Sequence, residues 1–189
     1  MNTRTALLDV AEQAARSRGF DAFSYADLAA AVGIRKASIH HHFPAKADLA
    51  LALIGRYRDT FRATLAAIDA ASQTAGGRLA GFLQTYREAL AGGDTVCLCV
   101  AYSSGRDSFG KPVIDELDAF HADCLGWLEA VFLQAGHDAS IHNIGPASAE
   151  AQACLALVEG AQLMARAAGD PNRYDAATDL MRRRIAAGS

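Results

Sequence analysis

The chain has no apolar run of the roughly 18 to 20 residues that a membrane-crossing helix requires, and Met1, Asn2, Thr3, Arg4 and Thr5 contain none of the apolar stretch of a secretory leader. Both absences point to a cytoplasmic protein with no membrane partner. Cysteine is scarce, at four residues (Cys97, Cys99, Cys124 and Cys154) in a chain of 189. In an intracellular chain of this size they read as reduced thiols rather than as a disulfide framework. Cys97 and Cys99 lack the second pair that a structural zinc needs, and thiols two residues apart on a helix point to nearly opposite sides. His40, His41 and His42 are consecutive, so on a helix each diverges from the next by about 100° and the three do not close on one ion.

Catalytic patterns are missing as well. The segment 105–111 has the spacing of a phosphate-binding loop, but Pro112 stands where a Ser or Thr should hold magnesium, and no strand precedes it. There is no nucleophile elbow, no pair of carboxylates at a strand end and no Gly-rich cofactor turn. An enzyme, a metal and a cofactor are therefore not expected.

What is present is a globular composition with an uneven charge. With 51% apolar and 21% charged residues, nothing forces disorder, and the length suits one or two modest domains with a real core. The net charge of −3 argues weakly against nucleic acid, but its distribution argues for it. Residues 1–58 hold eight Lys or Arg against five Asp or Glu, a balance of +3, and residues 59–189 hold ten against sixteen, a balance of −6. A basic head on an acidic body fits DNA binding at one end.

The head carries the most specific pattern. Leu28, Ala29 and Val32 fall at helical spacing, Gly33 stands where a left-handed C-cap is wanted, and residues 37–43 form a second short helix ending before Pro44. Ser24 is placed to N-cap the first of these helices, and its hydroxyl also suits a phosphate. Two short helices joined by a Gly-containing turn, the second rich in small polar and basic side chains, make a helix-turn-helix. An amphipathic helix over 3–18, ended by Gly19, closes a three-helix core over Phe20, Phe23, Leu28, Ile39 and Phe43. Two short helices alone cannot bury enough surface to hold their crossing angle.

The order of residues here resembles the DNA-binding domain of TetR-type transcriptional repressors. Gly19 and Phe20 lead to Ser24, then to Leu28 and Ala29, then to Gly33 and Ile34. Ala37, Ser38 and Ile39 follow, and Phe43, Lys46 and Leu49 close the pattern. His40 departs from it, standing where the family usually has a phosphate-contacting Tyr. The resemblance covers about a quarter of the chain. It implies an all-α protein with a three-helix DNA-binding domain over 1–45 and a helical effector-binding and dimerisation domain over 46–189. The implied partners are a double-stranded DNA operator, a small-molecule effector and a second copy of the chain. Ser24, Tyr25, Arg35, Lys36, Ser38, His40, His41 and Lys46 are the expected DNA-facing residues.

Beyond the head, apolar periodicity predicts helices over 46–71, 78–91, 96–102, 112–134, 147–168 and 174–186, with Gly76 and Gly77 in a turn and 103–111 as a loop. The helices over 112–134 and 147–168 are apolar on more than one side and so need a partner as well as their own body. By resemblance they form an antiparallel four-helix bundle across a two-fold axis, with Ala153, Ala156, Gly160 and Ala161 allowing close approach. Also by resemblance, Phe61, Leu65, Phe82, Tyr86, Cys99, Tyr102, His121, Trp127 and Met164 lie on helices around an effector pocket. Glu159, set among apolar residues, suits a structural hydrogen bond or a cationic ligand. Cys97 and Cys99 have no Lys, Arg or His within four residues to lower a thiol pKa, which favours a noncovalent effector over an electrophile or oxidant.

Overall fold

The computed structural model describes residues 2–186. Among these residues it is all-helical, with nine α-helices: α1 (Thr3–Arg18), α2 (Tyr25–Val32), α3 (Lys36–His42), α4 (Lys46–Ala71), α5 (Ala75–Glu88), α6 (Leu98–Ser104), α7 (Lys111–Asp138), α8 (Ala147–Ala168) and α9 (Asn172–Arg182). The extended pairing among the described residues is a single isolated antiparallel bridge, Ile141 with Ile185.

Helix boundaries follow local chemistry. Gly33 caps α2 at φ 75°, ψ 35°, and its N–H donates to the Ala29 carbonyl. A side chain is strained in that left-handed region, so glycine suits the position. Helices α1, α4 and α8 begin and end where the periodicity predicts. Helix α5 starts three residues earlier than expected. The Thr74 hydroxyl accepts from Gly77 N–H, the Asp138 carboxylate from Ala75 N–H at 2.8 Å, and the Ser140 hydroxyl from Gly76 N–H at 2.8 Å. With the first-turn donors satisfied, Gly76 and Gly77 are helical rather than a turn. Helix α7 likewise runs through Gly136 to Asp138 instead of ending at Gln134.

The chain forms two compact units that do not follow chain order: residues up to Asp59 with Cys97–Phe120, and Thr60–Val96 with residues from His121 on. Leu49, Ala50, Leu53 and Ile54 of α4 are fully buried, and Tyr102 of α6 donates its hydroxyl to the Ala50 carbonyl at 3.3 Å. These contacts place the first half of α4 in the core of the first unit. There α1 packs on α2 and α6, and α2 packs on α3. Phe20 meets Phe23 and Tyr102 edge-on at 5.3 and 5.5 Å between centroids.

In the second unit α8 packs on α5 and α9. Buried polar groups tie these helices together. Gln162 donates to the Tyr86 carbonyl at 2.6 Å, and Tyr174 donates to the Leu83 carbonyl at 2.8 Å. Arg184 binds Glu150 through both guanidinium nitrogens at 2.9 and 2.7 Å and holds that carboxyl below its usual range.

Between α3 and α4 the chain bends at Pro44 and Ala45, and the buried Tyr25 spans the gap. Its hydroxyl lies 2.9 Å from the Phe43 carbonyl and 2.7 Å from the Ala45 carbonyl. Burial, and behind it the Asp48 carboxylate, push the phenol up to about 12, so it remains the donor at any physiological pH. Tyr25→Phe removes the donor and leaves a buried acceptor unmet. We expect a loss of about 1–2 kcal/mol in stability, read as a lower urea midpoint with an unchanged denaturant slope.

Candidate nucleic-acid interface

Helix α3 presents one buried side and one bare one. Ile39 is 0% exposed and Phe43, which ends the helix, is 2% exposed; both face the core. Arg35, Lys36, Ala37, Ser38, His40 and His41 are exposed and His42 is half-buried. A helix anchored by its apolar residues, with basic and hydroxyl side chains pointing outward, has the form of a reading helix for a major groove.

Around it, Ser24, Lys36, His40 and Lys46 come together on the rim of a surface concavity of about 480 Å³, which Asp21, Phe23, Tyr25, Pro44 and Ala45 complete. Ser24 caps α2 in a reciprocal box. Its N–H donates to Asp27 Oδ2 at 2.7 Å, its hydroxyl lies 2.8 Å from the same oxygen, and Asp27 N–H points back at the hydroxyl. Those bonds hold the Asp27 carboxyl below its usual range. The Lys46 ammonium stands 4.9 Å from the centroids of both Phe20 and Phe23, so the aromatic core positions the charge. Arg35, Ser38 and His41 lie outside the concavity, on the exposed part of α3.

Tyr25 is a correction. Expected to face DNA, it is 7% exposed and its hydroxyl is committed to the α3–α4 junction. Position alone, next to the capping Ser24, did not reveal that its ring turns inward. Asp21, Pro44 and Ala45 were missed, because they sit in connecting turns and reach the concavity only through the tertiary fold.

The residues expected around an effector divide between the two units. In the second, Phe61, Leu65, Phe82 and Tyr86 are buried. Phe82 stacks on the half-buried Trp127 at 5.6 Å and 22°, and lies 5.0 Å from Tyr86. Trp127 Nε1 donates to Asp69 at 3.0 Å, beside a groove of about 270 Å³ that it lines with Arg62, Leu65, Ala66, Asp69 and Asp123. His121 Nε2 is 3.3 Å from Glu159 Oε1, an ion-pair distance. Cys99 and Tyr102 belong to the first unit, where Tyr102 stacks on Phe109 at 4.5 Å. Met164 is a second correction: at 58% exposure it lies on the outer surface of α8. Ala161 is a third, for it is 2% exposed within its own chain and not on the outer face with Ala153 and Ala156. Among the described residues no helix is long and apolar enough to cross a membrane, and no group of three or more His, Cys, Asp or Glu is placed to hold a metal ion.

A buried-core helix-turn-helix with a basic reading helix defines a DNA-binding regulator. The model for bacterial regulatory proteins of the tetR family matches residues 7–53. A TetR-family transcriptional regulator from Agrobacterium tumefaciens is 32% identical over 98% of both chains, with a TM-score of 0.91. A TetR transcriptional regulator from Legionella pneumophila is 29% identical over the same share of both chains, with a TM-score of 0.88. AibR, solved with isovaleryl coenzyme A and operator DNA, is 20% identical over 86% of each chain, with a TM-score of 0.69. No curated protein matches the chain. The chain belongs to the TetR family of transcriptional regulators.

Arg35→Ala or Lys36→Ala should weaken binding to a selected operator by about 1–3 kcal/mol and relax its sequence preference. Lys46→Ala should instead weaken all duplexes alike and flatten the salt dependence by about one counterion per head. Affinity titrations at several salt concentrations separate the two classes, and three variants with unaltered affinity would sink the assignment.

Proposed function

We propose that the protein is a ligand-responsive repressor, and not an enzyme, that binds a palindromic operator as a homodimer and is released by a small-molecule effector. The observation that carries this reading is α4. One continuous 26-residue helix begins at Lys46 beside the reading helix and contributes Phe61 and Leu65 to the core of the second unit. At 1.5 Å per residue it spans roughly 40 Å. An effector that displaces Phe61 or Leu65 tilts the helix that carries Lys46. In a dimer the two heads must stand roughly 34–36 Å apart to enter successive major grooves, so such a tilt spoils the fit. AibR, solved with a coenzyme A thioester and operator DNA together, is a precedent for both partners on this fold.

Dimerisation is supported by an outer face that a single chain leaves bare. Ala153, Ala156, Leu163 and Met164 of α8 are exposed, Gly160 is half-buried beside them, and Leu133 of α7 is 57% exposed. Small residues flanked by Leu and Met suit close helix contact across a two-fold axis. Ala156→Glu and Leu163→Glu should each sediment as a folded monomer with undiminished helical circular dichroism. Each should also lose on the order of tenfold or more in operator affinity, because one head holds half a site. A dimer of full affinity carrying both substitutions overturns this interface.

The state of the thiols favours a noncovalent effector. All four cysteines are buried, and burial pushes the Cys154 thiol up to about 12. Burial opposes both thiolate formation and reagent access. A disulfide reagent should therefore modify the native protein at least tenfold more slowly than the urea-unfolded chain. Peroxide and a quinone should leave the DNA complex intact. Release by either reagent that is abolished by Cys97→Ser or Cys99→Ser would establish a thiol sensor instead.

A further inference from the structure

His40 is exposed on α3, yet its ring is held from two sides. Nδ1 lies 3.2 Å from the Pro44 carbonyl oxygen, and the Tyr25 ring meets it edge-on at 5.0 Å between centroids. A carbonyl oxygen only accepts, so Nδ1 carries the hydrogen in the neutral ring and Nε2 keeps the lone pair. The orientation of the imidazole thus determines which nitrogen takes the second proton.

The charged groups that share its concavity are few. Lys36 stands one turn earlier on α3, Lys46 comes from α4 and Asp21 from the turn after α1. The Asp21 carboxylate accepts from the Ser108 hydroxyl at 2.5 Å. Of the other nearby carboxylates, Asp27 on α2 is bound to Ser24, and Asp48 on α4 accepts from Ala45 N–H at 2.8 Å. On its C-terminal side α3 adds His41 and His42, whose rings meet edge-on at 5.5 Å. Two ammonium groups outnumber the one carboxylate on the rim, which attracts a polyanion.

We propose that DNA binding is coupled to uptake of a proton at His40 Nε2, so that the protein's affinity for its operator rises as pH falls through the imidazole range. The proposal rests on the reading of α3 as the DNA-binding helix. A duplex carries about one negative charge per 1.7 Å of its axis. Facing a phosphate, the neutral ring offers the Nε2 lone pair to oxygen lone pairs, which repels. The imidazolium offers an N–H and a positive charge, which forms a charge-assisted hydrogen bond. DNA therefore stabilises the protonated form alone. Because the proton is taken up on binding, the added affinity grows as pH falls and is lost as pH rises. Each dimer takes up as many as two protons, one per head.

The test uses the full chain and a duplex selected from random-sequence DNA, with affinity followed by fluorescence anisotropy from about pH 5.5 to 8.5 at constant ionic strength. The native protein should weaken by roughly tenfold or more across this range. His40→Gln retains a donor for the Pro44 carbonyl but cannot take up the proton; it should bind at every pH about as weakly as the native protein does at the alkaline end. His40→Arg, permanently charged, should bind tightly with no pH dependence. Calorimetry in two buffers of different ionisation enthalpy counts the protons directly, and the count should fall in both variants. An unchanged slope and proton count in His40→Gln, or a slope abolished only by His41→Gln, overturns the assignment. A duplex bound equally well at every pH overturns the proposal alone, whereas failure to bind any selected duplex overturns the DNA-binding reading and the proposal with it.

Discussion

The stretch from Phe43 to Ala45 lies between α3 and α4, and the phenol of Tyr25 reaches the carbonyls at both its ends; the Ala45 carbonyl also accepts from Asp48 N–H of α4 at 3.1 Å, whereas the phenol is what meets that of Phe43. Tyr25 opens α2, whose own start is held by the Ser24 and Asp27 box. One side chain therefore ties the beginning of the first helix of the motif to the exit of the second. The orientation of α3, the direction in which α4 departs and the position of Lys46 over Phe20 and Phe23 all depend on that tie. Because a buried unmet carbonyl costs more than the net gain of an ordinary hydrogen bond, the junction has little freedom to settle elsewhere.

The exposed side of α3 is then set by subtraction. Ile39 and Phe43 are withdrawn into the core, so Arg35, Lys36, Ser38, His40 and His41 have only solvent, or a ligand, to face. Two of the polar side chains on this surface are held in place, since Lys46 stands over two rings and His40 is bonded to Pro44. Pre-positioned donors lose less conformational freedom on binding than free side chains do.

Along its length α4 changes partners. Arg56 bonds Asp9 and Glu12 of α1 at 2.6 and 2.7 Å, and Arg58 bonds Glu116 of α7 at 3.1 Å, both within the first unit. In the second unit Arg62 grips Asp123 through two nitrogens at 2.8 and 3.0 Å, and Asp69 accepts from Trp127. These are directional, partly exposed bonds that can exchange with water at little cost. The buried Leu49, Leu53, Phe61 and Leu65 hold the same helix by packing instead.

The sequence by itself determined the all-helical class, the family, the limits of α1, α4 and α8 and the place of the helix-turn-helix. Each of these rests on a local cause: periodic apolar residues, a capping Ser24, a left-handed Gly33, a Pro44 that stops a helix. Tertiary structure alone decided which way a side chain turns when local pattern allows both. Tyr25 faces inward, where its hydroxyl meets the carbonyls of Phe43 and Ala45, and Met164 faces outward because α5 and α9 cover the other side of α8. It brought Asp138 and Ser140 to the first turn of α5, which made Gly76 and Gly77 helical. It also placed the first half of α4 with the head through contacts to residues 52 positions away, such as Tyr102 to Ala50. Spacing along a chain reports what one helix does, and these partners come from elements whose approach no single stretch encodes.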